Sequence, residues 1–385
     1  MSEALAADEL PPEAWAVALA SLPEMGPTRL AAALSAWSPA RAWPVVAGGR
    51  AHRHPAVART MTPNPTALAA DWARAAGSID VALTWRRHVE LGVGVVLHRG
   101  AAYPPALVDD PDPPAILCHR GDPDLVVGPR VAIVGTRRCS RYGRDVALEL
   151  GRDLAAAGVV VISGLALGID AAAHEGALAA GADATAPAAV VGSGLDVIYP
   201  RANARLWRRV EERGVVFSEA PLGGAPMRWR FPARNRIIAG LADVVVVVES
   251  HAAGGSLLTV GEAIRRDRPV LAVPGPVRSS ASAGTNALLA DGAGPARDVT
   301  DVLVALGLSP GATRATREVR APPDPDDRGL LEAIGWQPAG LEQLSVRTGR
   351  DLGSVAVALE RLLAEGWVAE RGGWWERVAK PEGRY

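Results

Sequence analysis

At 385 residues the chain has room for two or three domains, and 49% hydrophobic residues exclude a disordered polymer. A formal net charge of −1 excludes a generally basic surface, so any nucleic-acid site has to be a local patch. Cys118 and Cys139 have neither framework nor metal-ligand spacing, residues 1–10 have no signal-peptide layout, and no run of about 18 apolar residues forms a membrane span; a reduced, cytoplasmic chain with no metal and no cofactor is expected.

Residues 12 to 75 are rich in Ala, Leu and Trp with Pro breaks, and Trp15, Leu19 and Leu22 fall at helical spacing. The sequence from Leu22 to Leu30 reads as an apolar turn followed by a helix start, with Gly26 in the turn and Pro27 opening the helix. Such a turn is either a plain helix connector or a phosphate-binding helical hairpin. Residues 1–85 are therefore assigned to a small helical domain of sterile-alpha-motif or helix-hairpin-helix type.

From residue 91 the pattern changes. Residues 93–97 and 115–118 are predicted strands, and βα units follow. A strand at 130–134 enters Gly135, and an amphipathic helix over 142–157 carries Val146, Leu150 and Leu154 on one face. Strands at 159–162, 188–191 and 215–217 alternate with helices over 171–180 and 206–212. The run at 244–248 is five consecutive Val residues, the mark of a central strand buried on both faces. A helix over 257–265 and a strand at 270–273 complete the set. This alternation predicts an α/β fold with a doubly wound parallel sheet over residues 86–308, whose ligands bind beyond the carboxyl ends of the strands. Residues 309–327 are read as a linker, and 328–385 as three helices and a small hairpin resembling a winged helix. The longest of those helices, 351–365, sets Arg361 against Asp351, Glu360 and Glu365, so protein contact or simple packing suits it better than reading a DNA groove.

The chemistry concentrates at the strand ends. Gly135-Thr136-Arg137, Ser163-Gly164, Gly192-Ser193-Gly194, Ser218-Glu219 and Gly254-Gly255-Ser256 close successive strands. Gly permits close backbone approach, small hydroxyls donate to phosphate oxygens, and helix N-termini add positive potential, so together these turns describe an anion-binding rim. Between residues 201 and 240 nine Arg face three Glu. Arg228, Trp229, Arg230, Phe231, Arg234, Asn235 and Arg236 crowd just before the Val run. Cations grip phosphates and aromatic faces stack on bases, which is single-stranded nucleic-acid chemistry. Phe231 precedes Pro232, which biases it to an extended conformation at a sheet edge. It either stacks on a base or fills the core beneath the Arg segment.

Other chemistries are weaker. The turn after residue 134 is not G-x-G-x-x-G and no acid closes the next strand, so NAD is not expected; no Walker A sequence is present either. Asp170 and His174 share a helix face, as a cap with a packing His or as an acid–base pair. The spacing from Gly254-Gly255 to Thr259 and Glu262 resembles that of nucleoside-monophosphate hydrolases of the lysine-decarboxylase-like family. This resemblance implies the alternative of a nucleotide hydrolase in which Glu262 acts on a ribose.

Read in order, the motifs resemble the DNA-processing protein A (DprA, or Smf) family. They run from Tyr103-Pro104 with residues 114–121 through 134–143, 163–174, 192–200, 218–219, 231–241, 255–259 and 273–275 to 284–293, covering roughly residues 90 to 300. The resemblance implies an extended Rossmann fold that binds single-stranded DNA, forms homodimers and delivers the RecA recombinase during natural transformation, without catalysis. It places the DNA pocket on Arg137, on Phe231 and on Arg228 or Arg230.

Overall fold

The computed structural model describes residues 10–308, 323–335 and 338–378. Six helices come first: α1 (Pro12–Ala20), α2 (Pro27–Ala36), α3 (Pro39–Ala47), α4 (Pro55–Ala58), α5 (Pro65–Ala76) and α6 (Val81–Glu90). Five of them open with proline at the first helical position, where its missing N–H would lack a partner anyway. Trp72 is the centre of their core: it is fully buried, and its Nε1 donates to Pro23 O at 2.8 Å, pinning α5 to the turn between α1 and α2. Helix α6 runs five residues past the sequence-read boundary at 85, and its cap is Asp80, which accepts from Leu83 N.

The sheet that follows has nine strands: β1 (Gly94–Leu97), β2 (Ile116–Gly121), β3 (Arg130–Val134), β4 (Val160–Ser163), β5 (Ala188–Val191), β6 (Val215–Ser218), β7 (Val244–Val247), β8 (Val270–Ala272) and β9 (Gly294–Pro295). Their order is β1-β2-β6-β5-β4-β3-β7-β8-β9. From β6 to β9 all pairs are parallel, as the alternating pattern predicts. The two leading strands β1 and β2 add antiparallel to the β6 edge, so the Rossmann-like sheet is extended and mixed.

Helices α7 (Arg141–Ala156), α8 (Ile169–Ala179), α9 (Ala204–Arg213), α10 (Arg230–Leu241), α11 (Ser256–Ile264), α12 (Ala283–Ala290) and α13 (Val299–Ala305) flank it. The Val run shows the two-sided burial plainly. Val245 and Val247 pack under α10 and α11, while Val244, Val246 and Val248 pack under α7, α8 and α13. Each side chain points to the opposite face from its neighbour.

One sequence expectation fails here. Phe231 is not extended: it sits in the first turn of α10. The bias from Pro232 loses because a proline in the first turn of a helix removes an N–H that has no intrahelical acceptor. Burial of Ile237, Ile238 and Leu241 from the same helix in the core then decides the conformation.

The described part of the C-terminal unit is built from α14 (Pro325–Ile334), α15 (Leu341–Thr348) and α16 (Leu352–Ala364), with β10 (Ala339–Gly340), β11 (Val368–Arg371) and β12 (Trp374–Arg377) in the order β10-β12-β11. Helix α14 begins inside the span read as linker, with Asp324 as its cap; positions 309–322 of that span lie outside the described residues. Arg361, the single cation of 351–365, is paired with buried Asp327 at 2.7 Å. Among the described residues no helix is long and apolar enough to cross a membrane.

Candidate functional site

The carboxyl ends of β3, β4 and β5 open onto one hollow of about 420 Å³ including its open mouth, bounded on its far side by the start of α10. Arg137, from the turn after β3, is exposed, and its guanidinium carbon lies 4.9 Å from the centroid of the Phe231 ring. Tyr199 lies 5.7 Å from the same ring, tilted by 38°. A cation held over a half-buried aromatic ring, with a second ring beside it, offers one atom group for a phosphate and flat faces for bases. Gly164 and Gly192 line the same hollow with backbone.

Arg234 forms the floor. It is buried, its Nη1 donates to Gly164 O at 2.7 Å and to Val190 O, and its Nε donates to Asn235 Oδ1 at 3.0 Å. Asp170 faces it at 3.6 Å. Burial pushes the Asp170 carboxyl up, against the pull of Arg234, and pushes the Arg234 guanidinium down, against the pull of Asp170. Gly164 is required here by close approach: a Cβ at this position would meet Arg234 Nη1 at 2.0 Å. Arg234 thus ties the ends of β4 and β5 to α10 while showing one edge to the hollow.

Several expected site residues serve the scaffold instead. Arg236 is buried and donates to Glu219 at 2.6 and 2.8 Å, with Asp112 at 3.1 Å, and it does not line the hollow. The serines expected to grip phosphate spend their protons internally. Ser163 Oγ donates to Ile133 O, Ser193 Oγ to Val197 O, Ser218 Oγ to Ser193 O and Ser256 Oγ to Ser250 Oγ. Gly194 N donates to Gly224 O, and Gly194 bends the chain toward that loop instead of facing the hollow. Gly255 and Ser256 open α11 after β7, outside the hollow, and Gly135 and Thr136 carry the β3 turn whose Thr136 N donates to Glu249 O at 2.8 Å. Of the flanking pair, Arg228 is exposed, while Arg230 lies 5.2 Å over the Trp229 ring.

The two alternative chemistries lose their geometry. Asp170 is not the cap of α8; Gly168 takes that position, and Asp170 is held by Arg234. His174 is fully buried, and burial pushes its imidazole down to about 3, so it stays neutral and packs rather than exchanging protons. Glu262 does not line the hollow. It pairs with Arg265 at 3.2 Å and with Arg266 at 2.5 Å, and buried Arg266 in turn holds Asp110 at 2.7 Å. A carboxylate spent on two arginines is poorly placed to act on a ribose.

Sequence reading passed over Glu249. The sheet order reverses between β3 and β7, the crevice where doubly wound folds bind nucleotides. Glu249 follows β7, is buried, and accepts from Ser140 N at 2.8 Å and Ser140 Oγ at 2.6 Å. Ser140 is the cap of α7, so the chain's own carboxylate occupies that helix N-terminus. Gly143 in the first turn makes the room; a Cβ there would lie 2.4 Å from the carboxylate. An acid immediately after the Val run, with a Ser-Arg-Tyr-Gly helix start elsewhere, was the available signal.

Fold and site together define a Rossmann-type protein whose reversal crevice is plugged and whose cationic, aromatic hollow lies at the outer rim. The chain belongs to the DNA recombination-mediator protein A family, whose model matches residues 94–307; the DprA winged helix domain model matches residues 310–373. Protein Smf of Escherichia coli is 34% identical over 286 residues, which is 72% of this chain and 75% of that protein. The DNA processing protein DprA of Bacillus subtilis is 35% identical over 205 residues, 53% of this chain and 68% of the relative. The X-ray structure of DNA processing protein A from Streptococcus pneumoniae superposes with a TM-score of 0.62 at 31% identity, covering 76% of this chain and 96% of that one.

Proposed function

We propose that the chain binds single-stranded DNA at the rim hollow and acts as a cytoplasmic, non-catalytic recombination mediator. In this reading it works as a homodimer and loads RecA onto incoming strands during DNA uptake. The observation that carries it is the Arg137 guanidinium seated 4.9 Å over the Phe231 ring at the carboxyl ends of three adjacent strands. A duplex hides its base faces, so a ring-lined hollow favours unpaired bases. Membership of the recombination-mediator family supports the cellular role. The engagement of Glu262 by Arg265 and Arg266 speaks against the hydrolase alternative.

The test is binding to a labelled oligonucleotide, single and duplex, across a salt series. Single strands should bind more tightly, and log affinity should fall with log salt by about 0.7 per phosphate contacted. Equal affinity for blunt duplex, or salt-independent binding, would sink the proposal. The loading step is checked by the rate of RecA filament assembly on single strands with and without the protein, and no acceleration would remove that part.

A further inference from the structure

Beyond the hollow around Phe231 the rim does not end. A second hollow, of about 430 Å³ including its open mouth, shares Val191, Gly192 and Arg234 with the first. It shares Trp229, Arg230, Met25 and Pro27 with a third, wider groove of about 1520 Å³ including its mouth. One wall of that groove is the loop from Pro221 to Arg230; the other is the turn between α1 and α2. The helical module therefore walls the last of three adjoining hollows, a trough whose first hollow holds Arg137.

The chemistry along the trough repeats. Trp229 is 46% exposed, and Arg230 lies 5.2 Å over its ring, the same cation-on-aromatic arrangement as Arg137 on Phe231. Arg230 Nε and Nη1 are buried without a hydrogen-bond partner, which leaves donors suited to an anion. Burial pushes that guanidinium down, and Glu219 is the carboxylate that opposes this. Arg228 stands exposed beside them. Glu24 on the facing turn is held by Arg29 at 3.2 Å, so it is not left as a free negative charge against a strand.

We propose that the single strand continues from the Phe231 hollow across Trp229 into the groove walled by the α1–α2 turn, with Trp229 as a second base platform and Arg230 as its phosphate partner. The helical module is then a wall of the DNA site and not only a separate appendage. This rests on the single-stranded DNA reading above and extends its footprint. Charge selects this occupant: the adjoining hollows set two cationic aromatic stations side by side along one face.

The test uses the full chain and thymidine oligonucleotides of increasing length. Wild-type affinity should rise as the strand becomes long enough to reach Trp229. Trp229→Ala should lose that gain, by about 5- to 150-fold for a long strand, and Trp229→Phe should restore most of it. Met25→Glu, on the opposite wall, should also weaken long strands more than short ones. Oligonucleotides with a photoreactive thymine at successive positions should crosslink to the peptide carrying residues 22–29. Thermal melting of each variant verifies that it is folded. A wild type that fails to bind single strands overturns both readings. A wild type that binds, weakens with Phe231→Ala and is indifferent to Trp229→Ala and Met25→Glu overturns the extended footprint alone, as would crosslinks confined to the sheet.

Discussion

Phe231 and Arg137 are expected to act as one unit, and a double-mutant cycle measures this. Phe231 is half-buried in the first turn of α10 and belongs to none of the main apolar clusters, so Phe231→Ala should leave the fold nearly intact. Loss of a stacked base should cost about 1–3 kcal/mol of single-strand affinity, roughly 5- to 150-fold, with the salt slope unchanged. Arg137→Ala should instead flatten that slope by about 0.7, one phosphate's worth. The guanidinium carbon lies 4.9 Å from the ring centroid, and an exposed pair of this kind is worth about 0.5–1 kcal/mol. Removing Phe231 therefore also loosens Arg137 while leaving its charge beside the phosphate, and the double variant should lose about that much less than the sum of the singles. Fluorescence anisotropy with a labelled oligonucleotide at several salt concentrations resolves this, because additivity for independent sites holds to about 0.3–0.5 kcal/mol. Strict additivity would refute the shared role. A melting temperature lowered by more than about 4 °C, with normal binding by the folded fraction, would make Phe231 a packing residue.

Gly164→Ala should destabilise the protein by about 1–3 kcal/mol and weaken DNA binding, because a Cβ would displace Arg234 from its carbonyl partners; urea unfolding that matches wild type would show that the floor yields freely. Burial holds His174 near 3 against an ordinary value of about 6.5, so the unfolded chain takes up a proton that the folded chain refuses. The stability this gives is present above about pH 6.5 and lost as pH falls toward 3, by up to about 1.4 kcal/mol per unit. His174→Asn should flatten that dependence between pH 7.5 and 5, and an unchanged slope would exclude the residue as its source. Glu262→Gln should leave DNA affinity within about twofold, since a change that small is below 0.5 kcal/mol, and should abolish no base release. A tenfold drop, or a hydrolytic activity lost with it, would revive the enzyme alternative.

The parallel strands β3 to β8 were legible because each is a short run rich in Val, Ala or Ile, a pattern that survives burial on both faces; the two-residue β9, Gly294–Pro295, carries no such run and was not legible. The direction of β1 and β2 was not, since nothing in an apolar tetrad states whether it joins an edge parallel or antiparallel. The arginines of α10 show the limit for site residues. Arg234 and Arg236 look equivalent in sequence, but two residues along a helix turn a side chain by about 200°. One therefore meets Gly164 and the hollow, and the other meets Glu219 and Asp112. Only the helix assignment separates them, and a local rule about Phe before Pro had hidden that helix. The serines show a related limit. Their type permits phosphate contact, but the carbonyl or hydroxyl within reach in the fold decides where the proton goes.

Glu249 has a consequence for how such a protein behaves among small metabolites. Its carboxylate is attached to the chain two residues beyond β7, so it sits at the start of α7 at every concentration of free nucleotide. A mononucleotide that competed there would have to strip Ser140 of two hydrogen bonds and strand a buried anion. Free nucleotides therefore gain no hold on the crevice, and on the reading proposed above occupancy of the rim follows the supply of exposed single strand.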